Sequence, residues 1–263
     1  MDLQLKGKSV LVTAGSKGLG KAIAAEYVAQ GANVLIGSRH EENLQQAVYD
    51  IKETTGKEHV RYTVCDMKDK KDLTYMVHKM KAWTNRIDVL VNNAGGPPGG
   101  SFMDMEDDDW YHAFELNLLS FIRMIREVVP HMQKQGGGHI VNLASSSIKS
   151  TLDGLVLSNT MRPGILGLSK SLSQELASDN ILINTVGPGM IETDRISELN
   201  AERAKHENQS ADTIKEKAQK SIPMQRYGTP EEFAKTVVFL GSGVNTYISG
   251  QSLIIDGGLL KAL

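Results

Sequence analysis

Cysteine is all but missing from this chain. Cys65 is the single one among 263 residues, which rules out a disulfide within the chain and suits a reducing compartment. It follows a β-like run and reads as a small core residue. An excess of either charge is missing too. Lys and Arg number 29 against 31 Asp and Glu, a formal net charge of −2, so there is no electrostatic case for nucleic acid or an anionic membrane as partner. No apolar stretch approaches the roughly 20 residues that a membrane span needs, and residues 1–6 carry no charged-then-apolar signal pattern. Repeats, low-complexity tracts and linker-like breaks are also absent. The expectation is a soluble, cytoplasmic protein folded as one domain over residues 1–263.

What is present is ample apolar material, 40% of the chain, laid out in short runs that alternate with amphipathic segments. Residues 9–13, 33–37, 60–64, 89–91, 139–143, 181–186 and 252–255 read as strands. Helical patterns lie between them, among them 22–29, 43–53 and 107–132. Seven strands with intervening helices predict an α/β fold, a seven-stranded, mostly parallel sheet with helices on both faces. Residues 194–222 break the economy of this plan. They are polar, largely helical in composition and long for a connection. Two readings stand: a solvated surface helix pair, or a lid over a pocket at the carboxyl ends of the strands.

After the first strand comes Thr13-Ala14-Gly15-Ser16-Lys17-Gly18-Leu19-Gly20, opening a helix. Gly18 and Gly20 let backbone approach a pyrophosphate, and the helix start behind them offers free N–H groups and positive dipole. A glycine turn alone is a weak signal, but a strand before it and a helix after it strengthen the case. The second strand ends in Ser38-Arg39, where a site for NAD usually carries a carboxylate for the ribose 2′-hydroxyl. A serine hydroxyl and a guanidinium suit a 2′-phosphate instead, and Lys17 adds charge in the loop. The cofactor these residues predict is NADP(H).

With these motifs the chain resembles the short-chain dehydrogenase/reductase family over essentially its whole length. Its glycine loop is similar to residues 13–20, with Ala14 where the family has its first glycine. Asp66, beside Met67, corresponds to the adenine-contacting aspartate. Asn92-Asn93-Ala94-Gly95 corresponds to the sheet-stabilising and cofactor-contacting motif, and Asn117 to the active-site asparagine. Ile140 to Ser145 corresponds to the strand that ends in the catalytic serine, which makes Ser145 the choice among Ser145, Ser146 and Ser147. Pro188, Gly189, Ile191 and Thr193 lie in the counterpart of the nicotinamide-contacting loop. The resemblance implies a Rossmann-like doubly wound fold, hydride transfer to or from a small carbonyl or alcohol substrate, and a homo-oligomer, tetramer or dimer. The 3-oxoacyl-carrier-protein reductases and a reductase-like subgroup with imperfect motifs look most similar. No metal ligands are assigned.

The chemical centre departs from that family. The resemblance places a tyrosine 13 residues after the serine and a lysine four further on. Here those positions hold Ser158 and Arg162, followed by Pro163. A phenol near pKa 10 can be tuned into an acid and base, whereas a serine hydroxyl is far weaker and a guanidinium does not pass on a proton. Three readings follow. Ser145 and Ser158 hold the substrate oxygen while a water held by Asn117 supplies the proton. Alternatively the acid comes from the substrate or the lid, with His206, Asp194 and Glu192 as candidates. Or the fold binds NADP(H) without turnover. Pro163 further predicts a helix that starts near it, with Ser158 or Thr160 as cap and Arg162 displaced.

Overall fold

The computed structural model describes residues 1–262, except for the side chain of His206. Seven strands form one sheet: β1 (Ser9–Thr13), β2 (Asn33–Ser38), β3 (Val60–Val64), β4 (Val89–Asn92), β5 (Gly138–Leu143), β6 (Ile181–Pro188) and β7 (Ser252–Ile255). Every pairing is parallel, in the order β3-β2-β1-β4-β5-β6-β7. The expected strands are all present, extended by one or two residues at some ends.

Nine helices accompany the sheet among the described residues: α1 (Gly18–Ala29), α2 (Glu41–Thr55), α3 (Lys70–Thr84), α4 (Asp107–Phe114), α5 (Ser120–Lys134), α6 (Val156–Glu175), α7 (Asp194–Glu207), α8 (Ala211–Ser221) and α9 (Pro230–Leu240). Alternation along the strands fixes which face each residue serves. Val10, Val12, Val34 and Ile36 turn to one face, where Ile23, Tyr27 and Val28 of α1 pack with Phe233 and Val237 of α9. Leu11, Leu35, Leu90 and Ile140 turn to the other, against Met76 and Met80 of α3 and Met124 and Val128 of α5. Both faces are covered, which is why the strands read as nearly continuous apolar runs. Cys65 lies in the second of these cores, and burial, with Asp72, Asp66 and Asp69 nearby, pushes its thiol up to about 12.

The strand order reverses between β1 and β4, which opens a crevice at the carboxyl ends of these neighbours. The helix expected over 107–132 is not one α-helix. A π-helical turn, Glu115–Leu119, separates α4 from α5. Such one-turn insertions disturb the 3.6 period too briefly to be read in sequence, and they recur at functional sites.

Candidate functional site

At the crevice, β1 runs into the glycine loop and α1. Thr13 is fully buried, and its hydroxyl donates to Asn93 O at 2.7 Å while accepting from Asn93 N at 2.7 Å. Asn93 Nδ2 donates to Ala14 O at 3.2 Å. These bonds tie the ends of β1 and β4 together, so Thr13 serves as a brace. Gly20 sits under this clasp, where a β-carbon would collide with Ala14 O and stand 2.7 Å from Asn93 Nδ2. A β-carbon on Gly15 would meet the Ile36 side chain at 2.8 Å, and Ala14 takes the left-handed conformation at φ 45°. Ser16 and Lys17 lead into α1, with Lys17 exposed at the N-cap. From Gly18 and Leu19 onward the first helical N–H groups have no partner within the helix, which makes the loop a receptor for an anion.

The flanking elements complete a cradle. Ser38 Oγ at the end of β2 is buried without a hydrogen-bond partner, and Arg39 beside it is exposed. Asp66 Oδ1 accepts from Lys68 N at 2.9 Å, which shapes the turn after β3, and Met67 is buried behind it. After β4, Ala94 is buried while Gly95 is exposed. After β6, Gly189 N donates to Ile255 O at 2.9 Å, and Ile191 bridges to Gly228 in register. Thr193, the N-cap of α7, brings its methyl to 3.5 Å from where a Gly18 β-carbon would lie. Glycines with no room for a β-carbon at positions 15 and 20, free helix N–H groups and one orphaned buried hydroxyl are the features a dinucleotide would engage.

The chemical centre lies at the end of β5 and on α6. Ser145 caps a 3-10 turn, Ser146–Ile148, its Oγ accepting from Ser147 N at 3.1 Å. Ser158 and Arg162 lie on the buried face of α6 with Ile165, Ser169 and Ser173. The partner of Ser158 is Ser147, Oγ to Oγ at 3.4 Å, and both residues are buried. Sequence spacing favours Ser145 among the three consecutive serines, and in the structure the one that meets Ser158 is Ser147. Arg162 is 5% exposed and donates from Nη1 to Leu143 O at 2.8 Å, while its Nε has no partner. Burial alone brings its pKa down to about 10. Asn117 is fully buried in the π-turn. Its Nδ2 donates to Gly95 O at 2.7 Å, and its Oδ1 has no partner.

Two expectations about this helix are corrected. It begins at Val156, after Leu155, so neither Ser158 nor Thr160 is its cap, and Thr160 Oγ1 donates back to Val156 O. Pro163 sits inside the helix on its exposed side, where the carbonyl it leaves unbonded can meet water. Asn159 steadies the first turn with two bonds to the Leu152 backbone, accepting from its N at 3.1 Å and donating to its O at 2.8 Å.

The polar segment 194–222 forms the α7–α8 pair, with Ser210 capping α8. Arg195 donates to Pro97 O at 2.9 Å, which joins α7 to the loop after β4. Glu192 is occupied by Lys215 at 2.6 Å, Asp194 lies exposed in the first turn of α7, and the His206 side chain lies outside the described residues. The contacts toward the glycine loop and the loop after β4 come from the base of the segment, at Arg195 and at Thr193 just before it.

Comparison with known proteins agrees with this fold. A family model described as enoyl-(acyl carrier protein) reductase matches residues 13–260. The 3-oxoacyl-[acyl-carrier-protein] reductase FabG of Chlamydia pneumoniae is 36% identical over 259 residues, covering 98% of this chain and 99% of that protein. Its counterpart in Thermotoga maritima is 35% identical over 258 residues, covering 98% and 100%. Among solved structures, L-sorbose reductase from Gluconobacter frateurii, complexed with NADPH and L-sorbose, superposes with a TM-score of 0.93 at 31% identity over the full length of both chains.

Proposed function

Because the chain belongs to the short-chain dehydrogenase/reductase family, we propose that it is an NADP(H)-dependent reductase of carbonyl compounds, with 3-oxoacyl groups among the candidate substrates. The observation that carries this reading is the pairing of a glycine-rich loop at the start of α1 with hydroxyl and guanidinium donors at the end of β5. The solved relatives bound to NADPH support the choice of cofactor. So do the orphaned Ser38 hydroxyl and the exposed Arg39 and Lys17.

When bound, NADPH supplies a hydride to the carbonyl carbon, and the carbonyl π electrons move to oxygen. The residues then have to hold that oxygen. Ser145 accepts from a backbone N–H and keeps its own proton free to donate. Ser158 stands at the tyrosine position, oriented by Ser147. Arg162 contributes fixed positive charge close to the end of β5. Preorganised donors of this kind stabilise a developing oxyanion. None of them is an acid matched to neutral pH, so the final proton comes from water. Asn117 Oδ1, buried and unpartnered, is an acceptor able to hold that water. The α7–α8 pair acts as a lid that limits access to bulk solvent, latched at Arg195 and Pro97. The protein works as a homo-oligomer.

The test is NADPH oxidation with a panel of ketones, 3-oxoacyl thioesters and quinones. Turnover is expected at about 10²–10⁴ below that of a tyrosine-bearing relative, the usual loss for a missing general acid. Ser158→Tyr combined with Arg162→Lys is expected to raise kcat on the same substrate by about tenfold or more. Tight NADPH binding with no turnover on the panel, and none gained by the double change, replaces this reading with that of an NADP(H)-binding protein without redox chemistry.

A further inference from the structure

The candidate centre contains a buried cation with no counter-ion among the described residues. Arg162 is 5% exposed, and its one hydrogen bond runs to a neutral backbone carbonyl, Leu143 O. Its Nε–H has no partner. No carboxylate among the described residues forms an ion pair with Arg162. Buried charges are ordinarily paired, because taking an isolated charge out of water is costly. The serines at the end of β5 and one turn before Arg162 on α6 add hydroxyl donors without adding negative charge. Ser145 Oγ receives a hydrogen bond from Ser147 N, so its proton is uncommitted. Ser147 and Ser158 share one bond between two hydroxyls, which leaves a second proton uncommitted. The one orphaned acceptor in the group, Asn117 Oδ1, is neutral. The site thus offers several donors and a net positive charge, and it lacks an anion.

On the reading that this is a carbonyl-reducing site, we infer that the substrate brings that anion: it is an oxo acid, with a carboxylate one or two carbons from the reducible carbonyl. Arg162 binds the carboxylate, and Ser145 and Ser158 hold the carbonyl oxygen. An arginine suits this role better than a lysine, since its fork matches a carboxylate and its charge persists when buried. A neutral ketone or thioester leaves the guanidinium unpaired.

Redox-inert probes test binding apart from turnover. With NADPH saturating, oxamate and malonate are titrated calorimetrically against their neutral counterparts, oxamide and malonamide. Wild type is expected to bind the anions more tightly by about tenfold or more, the scale of a hydrogen bond to a charged group. Arg162→Met is expected to abolish that preference while leaving NADPH affinity within about threefold, and Arg162→Lys to retain part of it, since it keeps the charge but not the fork. Equal binding of anionic and neutral probes by wild type overturns the inference, and that comparison needs no variant. A preference that survives in Arg162→Met, or a variant that loses NADPH and keeps oxamate, overturns it as well. Turnover separates the two claims. Anion binding without reduction of pyruvate or acetoacetate leaves the anion site standing and removes the reductase reading. Reduction of neutral ketones alone, with no anion preference, does the reverse.

Discussion

Arg39 stands exposed just past β2, beside a serine whose hydroxyl is buried and unpartnered. If the pair receives a 2′-phosphate, Arg39→Ala weakens NADPH by about one to two powers of ten, as expected for a charge-assisted bond, and leaves NADH nearly unchanged. Titration of the free protein with both cofactors, followed by nicotinamide fluorescence, measures this; equal losses remove the 2′-phosphate assignment. What was legible at this scale is that Ser158 and Arg162, four residues apart, share one face of a helix, the buried face of α6. What spacing leaves open is where a side chain points. That Ser147 rather than Ser145 meets Ser158 depends on the 3-10 turn after β5. That Arg162 reaches Leu143 O depends on how α6 lies across the end of that strand. Pro163 misled for a related reason. Its local preference against helix is real, but the face it occupies is exposed, and tertiary packing of the opposite face holds the helix through it.

The α1–α9 pair shows how tightly the elements fit. Tyr27 of α1 is fully buried, and its hydroxyl has no partner. It abuts Gly241, the C-cap of α9, where a β-carbon would overlap the phenolic oxygen. Gly241→Ala is therefore expected to destabilise the protein by about 1–3 kcal/mol through overpacking. Tyr27→Phe, which removes an unsatisfied buried hydroxyl, is expected to stabilise it by about 1 kcal/mol. The two changes together should cost less than their separate effects predict, because the phenylalanine vacates the clashing space. Urea denaturation of the two single variants and the double variant measures the coupling, and simple additivity rejects the contact. The strands and most helices were readable as elements because burial on two faces gives short apolar runs and a clear 3.6 period. The π-turn was not, since one inserted residue between α4 and α5 leaves both flanking patterns intact. That insertion lies at the turn carrying Asn117, which bonds Gly95 O.

Across the whole molecule, the two ends of the sheet have different work. The carboxyl end carries the cradle and the donors, whereas the amino end carries the ties. Asp88, just before β4, accepts from Ser9 N at 2.9 Å and from Arg86 at 2.8 Å, with Lys8 at 3.5 Å, and its backbone O accepts from His139 N at 2.9 Å. Burial alone would raise the Asp88 pKa, but the bonds from Arg86 and Ser9 and the charge of Lys8 outweigh it and hold the carboxyl below its usual value. A carboxylate lowered in the folded state contributes stability that is present above its unfolded pKa, about 3.9, and is lost as pH falls through the folded value. Asp88→Asn should therefore destabilise the protein by about 1–3 kcal/mol near neutral pH. Its stability curve should converge with that of wild type below about pH 4. Thermal melts from pH 3 to 7 give the comparison, and a gap that stays constant with pH refutes the assignment. The same division of labour runs along α6. At one end of its buried face, Ser158 meets Ser147 and Arg162 reaches Leu143 O, at the end of β5. Further on, Ser169 Oγ accepts from Asn142 and from Thr185, each at 2.9 Å, and so fastens the helix to β5 and β6. Fastener and reagent sit on one rail, two to three turns apart. If the proposed roles hold, the reagent pair can be exchanged while the rail stays bolted, and chemistry at positions 158 and 162 can change over evolutionary time without a new fold having to be found.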